Sequence, residues 1–405
     1  MSKTPMKWEM NRMTRTESKN LEIMKPENVA PARQFHKTFP QYDETPLASL
    51  DNLAERLGLG GLYVKDESYR FGLKAFKVLG GSYAMGKFIA EKMGKDISQL
   101  SYDYLTSSQF RDEFGQATFF TATDGNHGMG IAWAANKLGQ KAVIHMPKGT
   151  TQERYERIAR EGAQVTVEDL NYDDCVRLAA KESEGTDFSV LIQDTSWEGY
   201  EKIPTWIMQG YGTLVDEAIE QLKSIAEARP THVIIQAGVG CLASAVVGLI
   251  TNLFPDNPPT FIIAEAENAA CFYKSALEAD GEYRICTGDL STIMAGLSCG
   301  EPMTIGWDII KNCADAFLAC PNWVTAKGMR ILSSPKGEDA RVVSGESGAV
   351  GVGAIAEIMQ NDDYADLRKS LGLGKDSRVL AFSTEGDTDP EMYDKIVWEG
   401  AYQSF

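Results

Sequence analysis

Residues 117–147 read ATFFTATDGNHGMGIAWAANKLGQKAVIHMP. A run rich in Phe, Thr and Ala (117–123) ends in a polar Asp-Gly-Asn turn and is followed by an amphipathic stretch (125–139), then by a second apolar run, KAVIHMP (141–147). Strand composition, helical spacing and strand composition in succession predict a βαβ unit, whose two strands lie parallel. The phrase recurs outward from this point. TTQERYERIAREG (150–162), AQVTVED (163–169), NYDDCVRLAAKESEG (171–185) and FSVLIQDT (188–195) continue the alternation, so residues 85–200 are expected to form one small open α/β domain.

Beyond it, a helical stretch from Trp206 to Ala228 leads to the strand-like THVIIQAG (231–238), a glycine turn, the helix-like LASAVVGLITNLF (242–254) and the strand-like FIIAEAE (261–267). SRVLAFSTEG (377–386) is a further buried strand ending in a polar turn. Joined to GLYVKDE (61–67), these predict a second sheet in a larger, discontinuous domain of residues 41–84 and 201–405, preceded by a polar, mobile arm over residues 1–40. The cleft between two such domains is the default binding site.

Composition narrows the function classes. A chain of 405 residues with 43% hydrophobic content can bury a large core, and 57 acidic against 40 basic residues give a net charge of −17, which repels polyanions and argues against nucleic acid as a partner. Seven cysteines lie without a C-x-x-C pair and only four histidines are present, so no metal site is expected and reduced cytosolic thiols are. Met1 to Met24 lacks the apolar run of a signal peptide, and nothing reaches the roughly 20 apolar residues of a membrane helix. A cytoplasmic protein with a small-molecule ligand is expected.

Four segments carry chemistry. SYRFGLKAFK (68–77) precedes Gly80-Gly81 and a helical run, and an amine desolvated in such a turn has a lowered pKa that favours condensation with a carbonyl. Lys74 and Lys77 are equal candidates on the residues alone. Asp124-Gly125-Asn126-His127-Gly128 stands where a buried strand meets a helix; glycines there admit a close ligand, and Asn126 can hydrogen-bond a phenolate oxygen or merely cap the helix. Gly238-Val239-Gly240-Cys241-Leu242 is a second strand-to-helix turn with N–H groups for a phosphate. Residue 243 is not glycine and no Lys-Ser/Thr follows, so a monophosphate fits better than a dinucleotide. Ser383-Thr384-Glu385-Gly386-Asp387 ends the last strand, with a hydroxyl suited to a neutral pyridine nitrogen.

In this order, over almost the whole chain after about residue 40, the four segments resemble the fold-type II pyridoxal-phosphate (PLP) enzymes, the group of threonine dehydratase, cysteine synthase and the tryptophan synthase β chain. The resemblance implies two open α/β domains with largely parallel sheets and the cofactor in the interdomain cleft, and a homodimer built through the larger domain. It makes Lys77 the Schiff-base lysine, although Ala75 stands where the family usually has Ser. Asn126 matches the family's G-N-H asparagine, Gly238, Val239, Gly240, Cys241 and Leu242 its phosphate loop, and Ser383, with Thr384 as the alternative, its ring-nitrogen hydroxyl.

Where dehydratases and synthases of the group usually carry Ser, Ala or Gly before G-N-H, this chain has Asp124. With KDESYRFGLKAFKVLGG, TATDGNHG, QDTSWEGY, IPTWIMQGY and SGESGAVG, it resembles the 2,3-diaminopropionate ammonia-lyases in particular. That implies α,β-elimination giving pyruvate and two ammonia, with Lys77 as base for the L isomer, Asp124 on the opposite face for the D isomer, and Asp194 holding the substrate's β-ammonium or sharing the base role. Glu346, Ser347 and Gly348 are expected near the cofactor ring or as a plain helix start, Trp197, Tyr200 and Trp206 as a core cluster, and Cys271 and Cys299 as free thiols. Rival readings are a serine or threonine dehydratase, a non-catalytic PLP or amino-acid sensor and, least supported, a dinucleotide-dependent oxidoreductase.

Overall fold

The structure, a computed structural model, describes residues 4–123, 125–226 and 229–403. Its strands, in chain order, are β1 Lys7–Met10, β2 Leu47–Ser49, β3 Gly61–Asp66, β4 Thr118–Ala122, β5 Lys141–Met146, β6 Gln164–Val167, β7 Ser189–Leu191, β8 His232–Gln236, β9 Thr260–Ala266, β10 Ala316–Cys320 and β11 Arg378–Ser383. Seven form one sheet in the order β1-β10-β9-β8-β11-β3-β2, and four form another in the order β6-β5-β4-β7. The small sheet is wholly parallel, as the 117–147 pattern predicts. In the large sheet β10, β9, β8, β11 and β3 run parallel, and only the flanking β1 and β2 are antiparallel.

The chain separates into two compact units. The first holds residues 1–26, 44–69 and 214–405 with the large sheet; the second holds residues 27–43 and 70–213 with the small one. These limits depart from the boundaries at 40, 84 and 200 drawn from the sequence. The helix Val78–Met93 stands in the second unit because Gly86 admits the ring of Phe35, from the helix Pro26–His36, to within 2.8 Å of where its Cβ would stand. His36 is buried there too, bonded to Thr213 Oγ1 at 2.8 Å and the carbonyl of Leu79 at 3.0 Å. Nor is the segment before residue 40 a mobile arm: β1 pairs with β10, and Met6 is buried with its N–H on Tyr364 Oη.

Every residue of β3, β8 and β10 is buried, so their central residues are apolar without alternation, and the polar Lys65, Asp66, His232 and Gln236 stand at the strand ends. Their neighbours supply one large core, with Leu62, Val64, Ile234, Ile262, Leu318, Val379 and Ala381 at its centre. Phe120, Val143, Cys175 and Leu191 belong to a smaller core in the second unit. Helices begin where short polar side chains cap them: Thr151 accepts from the N–H of Arg154, and Asn171 from that of Asp174. Among the described residues no helix is long and apolar enough to cross a membrane.

Candidate active site

In parallel α/β sheets the loops after the carboxyl ends of the strands are where ligands are held. All four segments singled out in the sequence follow such ends. In the second unit, the chain after β3 runs through Phe71 (φ 50°), Gly72 (φ 73°) and Lys74 (φ 58°), all left-handed, before Ala75 and Phe76 go under the surface. This contorted turn leaves Lys74 exposed and brings Lys77, half-buried, to the start of the helix Val78–Met93. The two lysines, equal in sequence, are thus distinguished by burial. Gly130 is required here, because a Cβ on it would lie 2.8 Å from the backbone nitrogen of Val78.

Lys77 Nζ donates to Asp194 Oδ2 at 2.6 Å. Asp194, buried, stands just past β7. Burial alone would raise its carboxyl, but the Lys77 ammonium and then His127 outweigh that and hold it down at about 2. Gln193 fixes the turn: its side chain accepts from Thr121 Oγ1 and the N–H of Ala122 and donates to Tyr172 Oη, while its N–H donates to Tyr200 Oη. His127 is bonded through Nε2 to the carbonyl of Ile192 at 2.8 Å, with Nδ1 3.9 Å from Asp194 Oδ2. Across the turn from β4, Thr123 Oγ1 accepts from the N–H groups of Gly125 and Gly128, which folds the loop onto the helix Asn126–Lys137. Asn126 is the first residue of that helix. Asp124 lies outside the described residues. Trp197 and Tyr200 stack with ring centroids 4.4 Å apart, but Trp197 is partly exposed and Trp206 stands apart from them, between Lys87 and Lys202.

In the first unit, β8 ends at Gln236 and the glycine turn follows. A Cβ on Gly238 would stand 3.0 Å from the carbonyl oxygen of Gly296 and 3.3 Å from Cys299 Sγ; on Gly240 (φ 95°) it would stand 2.5 Å from the ring of Phe272. Gly240 caps the helix Cys241–Leu253, whose first-turn N–H groups point out of the helix end toward the turn. The carbonyl of Val239 accepts from the N–H of Met303, which pins the turn from behind.

At the end of β11, Ser383 Oγ is already bonded to Ser344 Oγ at 2.8 Å. Thr384 Oγ1 instead accepts from Gln236 Nε2 at 2.9 Å. Residues 344–348 pack against this turn: the N–H of Ser347 donates to Glu385 Oε1, and the N–H of Gly345 to the carbonyl of Glu385. Glu346 is buried there, its carbonyl accepting from Thr325 Oγ1. All seven cysteines are free, Cys271 and Cys299 included. Thr123, Gln193, Gln236 and Ser344 are given no role by the sequence alone; those of Gln193, Gln236 and Ser344 arise from partners distant in the chain, while Thr123 acts on the glycines of its own turn.

One unit sets a lysine amine beside a buried carboxylate, and the other sets a glycine turn and a buried hydroxyl at the ends of adjacent strands, the groups that a pyridoxal-phosphate enzyme uses. Residues 38–385 match the family described as pyridoxal-phosphate dependent enzyme, and the chain belongs to it. It is 51% identical over 367 residues to the diaminopropionate ammonia-lyase of Salmonella typhimurium, covering 90% of this chain and 91% of that protein. Its fold matches that of the diaminopropionate ammonia lyase of Escherichia coli in complex with D-serine, with a TM-score of 0.91 at 44% identity over 100% of both chains. The same enzyme in complex with an aminoacrylate-PLP azomethine reaction intermediate gives 0.89, at the same identity and coverage. The resemblance read in the sequence, the fold type and the cofactor class all hold.

The residues present fit PLP. Gly238 and Gly240 shape a strand-to-helix turn that tolerates no Cβ at either position, Lys77 offers a primary amine, and Gln236 Oε1 is buried without a hydrogen-bond partner among the described residues.

Proposed function

We propose that this enzyme eliminates ammonia from 2,3-diaminopropionate, taking both isomers, and with water releases pyruvate and a second ammonia. Bound PLP supplies an electron sink for the negative charge left when the Cα proton departs. The observation that carries the proposal is the 2.6 Å contact between Lys77 Nζ and Asp194 Oδ2. A buried carboxylate kept ionised is a receptor for an ammonium group, and the Lys77 ammonium marks where the substrate's β-ammonium sits once Lys77 is engaged elsewhere. A neutral hydroxyl, as in serine or threonine, has no charge to offer that carboxylate.

The other candidate residues take complementary roles. Lys77 holds the cofactor through its ε-amine and, when released, takes the Cα proton of the L isomer. Asp124, next to the Thr123-anchored Gly125, takes that of the D isomer. Gly238, Val239, Gly240, Cys241 and Leu242 hold the phosphate by backbone N–H groups, and Asn126 holds the ring's phenolate oxygen. Thr384 rather than Ser383 meets the ring nitrogen, because the Ser383 hydroxyl is committed to Ser344. The net charge of −17 and the free thiols agree with a cytoplasmic setting, and the resemblance implies a homodimer.

The test is a pyruvate assay with D- and L-diaminopropionate, serine and threonine, run beside borohydride labelling of the cofactor. Both diaminopropionate isomers should turn over faster than either hydroxy amino acid. Lys77→Ala should lose the label, and Asp124→Asn should lose about 10²-fold or more with the D isomer and less with the L isomer. Preference for serine, or a label moved to Lys74, overturns the reading.

A further inference from the structure

The side chain of Gln236, buried at the end of β8, reaches across to β11. Its Nε2 lies 3.0 Å from the carbonyl oxygen of Phe382 and 2.9 Å from Thr384 Oγ1. A backbone carbonyl only accepts, so the group facing it must be the amide NH₂, and the NH₂ has two hydrogens to give. One goes to Phe382 and the other to Thr384. The orientation of the amide is therefore fixed by Phe382, and the Thr384 hydroxyl is fixed as an acceptor toward Gln236.

That leaves the single hydrogen of the Thr384 hydroxyl. Thr384 is buried, and among the described residues its hydroxyl donates to no protein acceptor. A buried O–H needs an acceptor. A pyridine nitrogen with its lone pair supplies one; a protonated pyridinium would approach as a second donor and leave the hydroxyl hydrogen unsatisfied. Ser383 cannot substitute, being bonded to Ser344.

We propose that Gln236 is a positioning residue that turns Thr384 into a hydrogen-bond donor and so selects the unprotonated ring nitrogen of the cofactor, an inference that rests on Thr384 being the ring's partner. Gln236 touches neither substrate nor reacting atoms in this scheme. It acts through the polarity of one hydroxyl. With no amide at 236, nothing holds the Thr384 hydroxyl as an acceptor on that side, so its lone pairs can face the ring, and the ring nitrogen gains a reason to bind a proton.

The experiment reconstitutes the apoenzyme with ¹⁵N-labelled PLP and measures both the PLP dissociation constant and the ring-nitrogen resonance. Gln236→Met should weaken PLP about tenfold and move the resonance toward its protonated position. Thr384→Val should lose affinity to a like extent, Thr384→Ser should keep both wild-type values, and the double variant Gln236→Met with Thr384→Val should be no worse than Thr384→Val alone. If Gln236→Met fails to fold, Gln236→Glu carries the test, since a carboxylate captures the Thr384 hydrogen and should move the resonance further. An unmoved resonance in the Gln236 variants alongside an affected Thr384→Val, or losses that add in the double variant, overturns the role of Gln236 alone. A Thr384→Val enzyme that binds PLP as the wild type does removes Thr384 as the ring's partner, and the role of Gln236 with it.

Discussion

Asp194 and Lys77 are 117 positions apart, yet each defines the other's chemistry. The carboxylate stays ionised inside the protein because an ammonium stands against it, and the ammonium is fixed because the carboxylate is anchored by its neighbours on the Gln193 turn. Asp194→Asn keeps the shape and removes the charge. We expect kcat with diaminopropionate to fall about 10²-fold while the PLP absorbance is retained, and a kcat near wild type would mean the charge is dispensable. The sequence names both Lys77 and Asp194 as candidates, since both sit in turns next to buried strands, and the structure brings them into contact. The residues alone do not rank Lys77 over Lys74; the resemblance does, and the left-handed turn at Phe71, Gly72 and Lys74 leaves Lys74 exposed and Lys77 half-buried. The sequence prefers Ser383 over Thr384, whereas the proposed role falls to Thr384, because the bonds of two adjacent hydroxyls depend on Ser344 and Gln236, from elsewhere in the chain.

At the scale of elements, the glycine turn after β8 depends on the next strand along. Glu265 on β9 is fully buried and accepts from the N–H groups of Phe272 and Tyr273 at 2.8 and 2.7 Å, fixing the start of the helix Cys271–Glu278. The Phe272 ring so placed is the wall against which Gly240 packs. Burial pushes the Glu265 carboxyl up to about 8, against the pull of those N–H groups. A proton on it therefore favours the folded chain, a contribution complete below about pH 4.5 and lost as the pH climbs through about 8. Melting temperatures measured at pH 6 and pH 9 should fall more steeply for the wild type than for Glu265→Gln; equal slopes would remove Glu265 from the balance. Elements of this kind were largely legible. Strand, turn and helix alternate with clear periods from residue 117 to 195 and again after 231, and each matched an observed element within a few residues. The short strands were not: KWEM (7–10) has the charges of an exposed edge, LAS (47–49) is three residues long, and AFLAC (316–320) is an apolar run without a turn signal to mark it.

At the scale of the whole molecule, neither unit is a continuous stretch. The chain passes between them four times, after residues 26, 43, 69 and 213. Sequence patterning found that the larger unit is interrupted but put the limits elsewhere, because what decides them is packing such as that of Phe35 against Gly86, which has no periodic signature. The large sheet depends on its last strand: β11 lies between β8 and β3 and pairs with both. A chain ending at Lys375 should show no cooperative melting by circular dichroism, and a sharp transition near the wild-type temperature would contradict the sheet order. The position of β11 also bears on how the protein is made. About 310 residues separate the end of β3 from the start of β11, which at roughly 5–20 residues per second is about 15–60 s of synthesis. Throughout that interval the nascent chain carries β3 with one edge paired to β2 and the other still waiting for β11, so yield in the cell should be governed by how well that waiting edge is shielded on the ribosome.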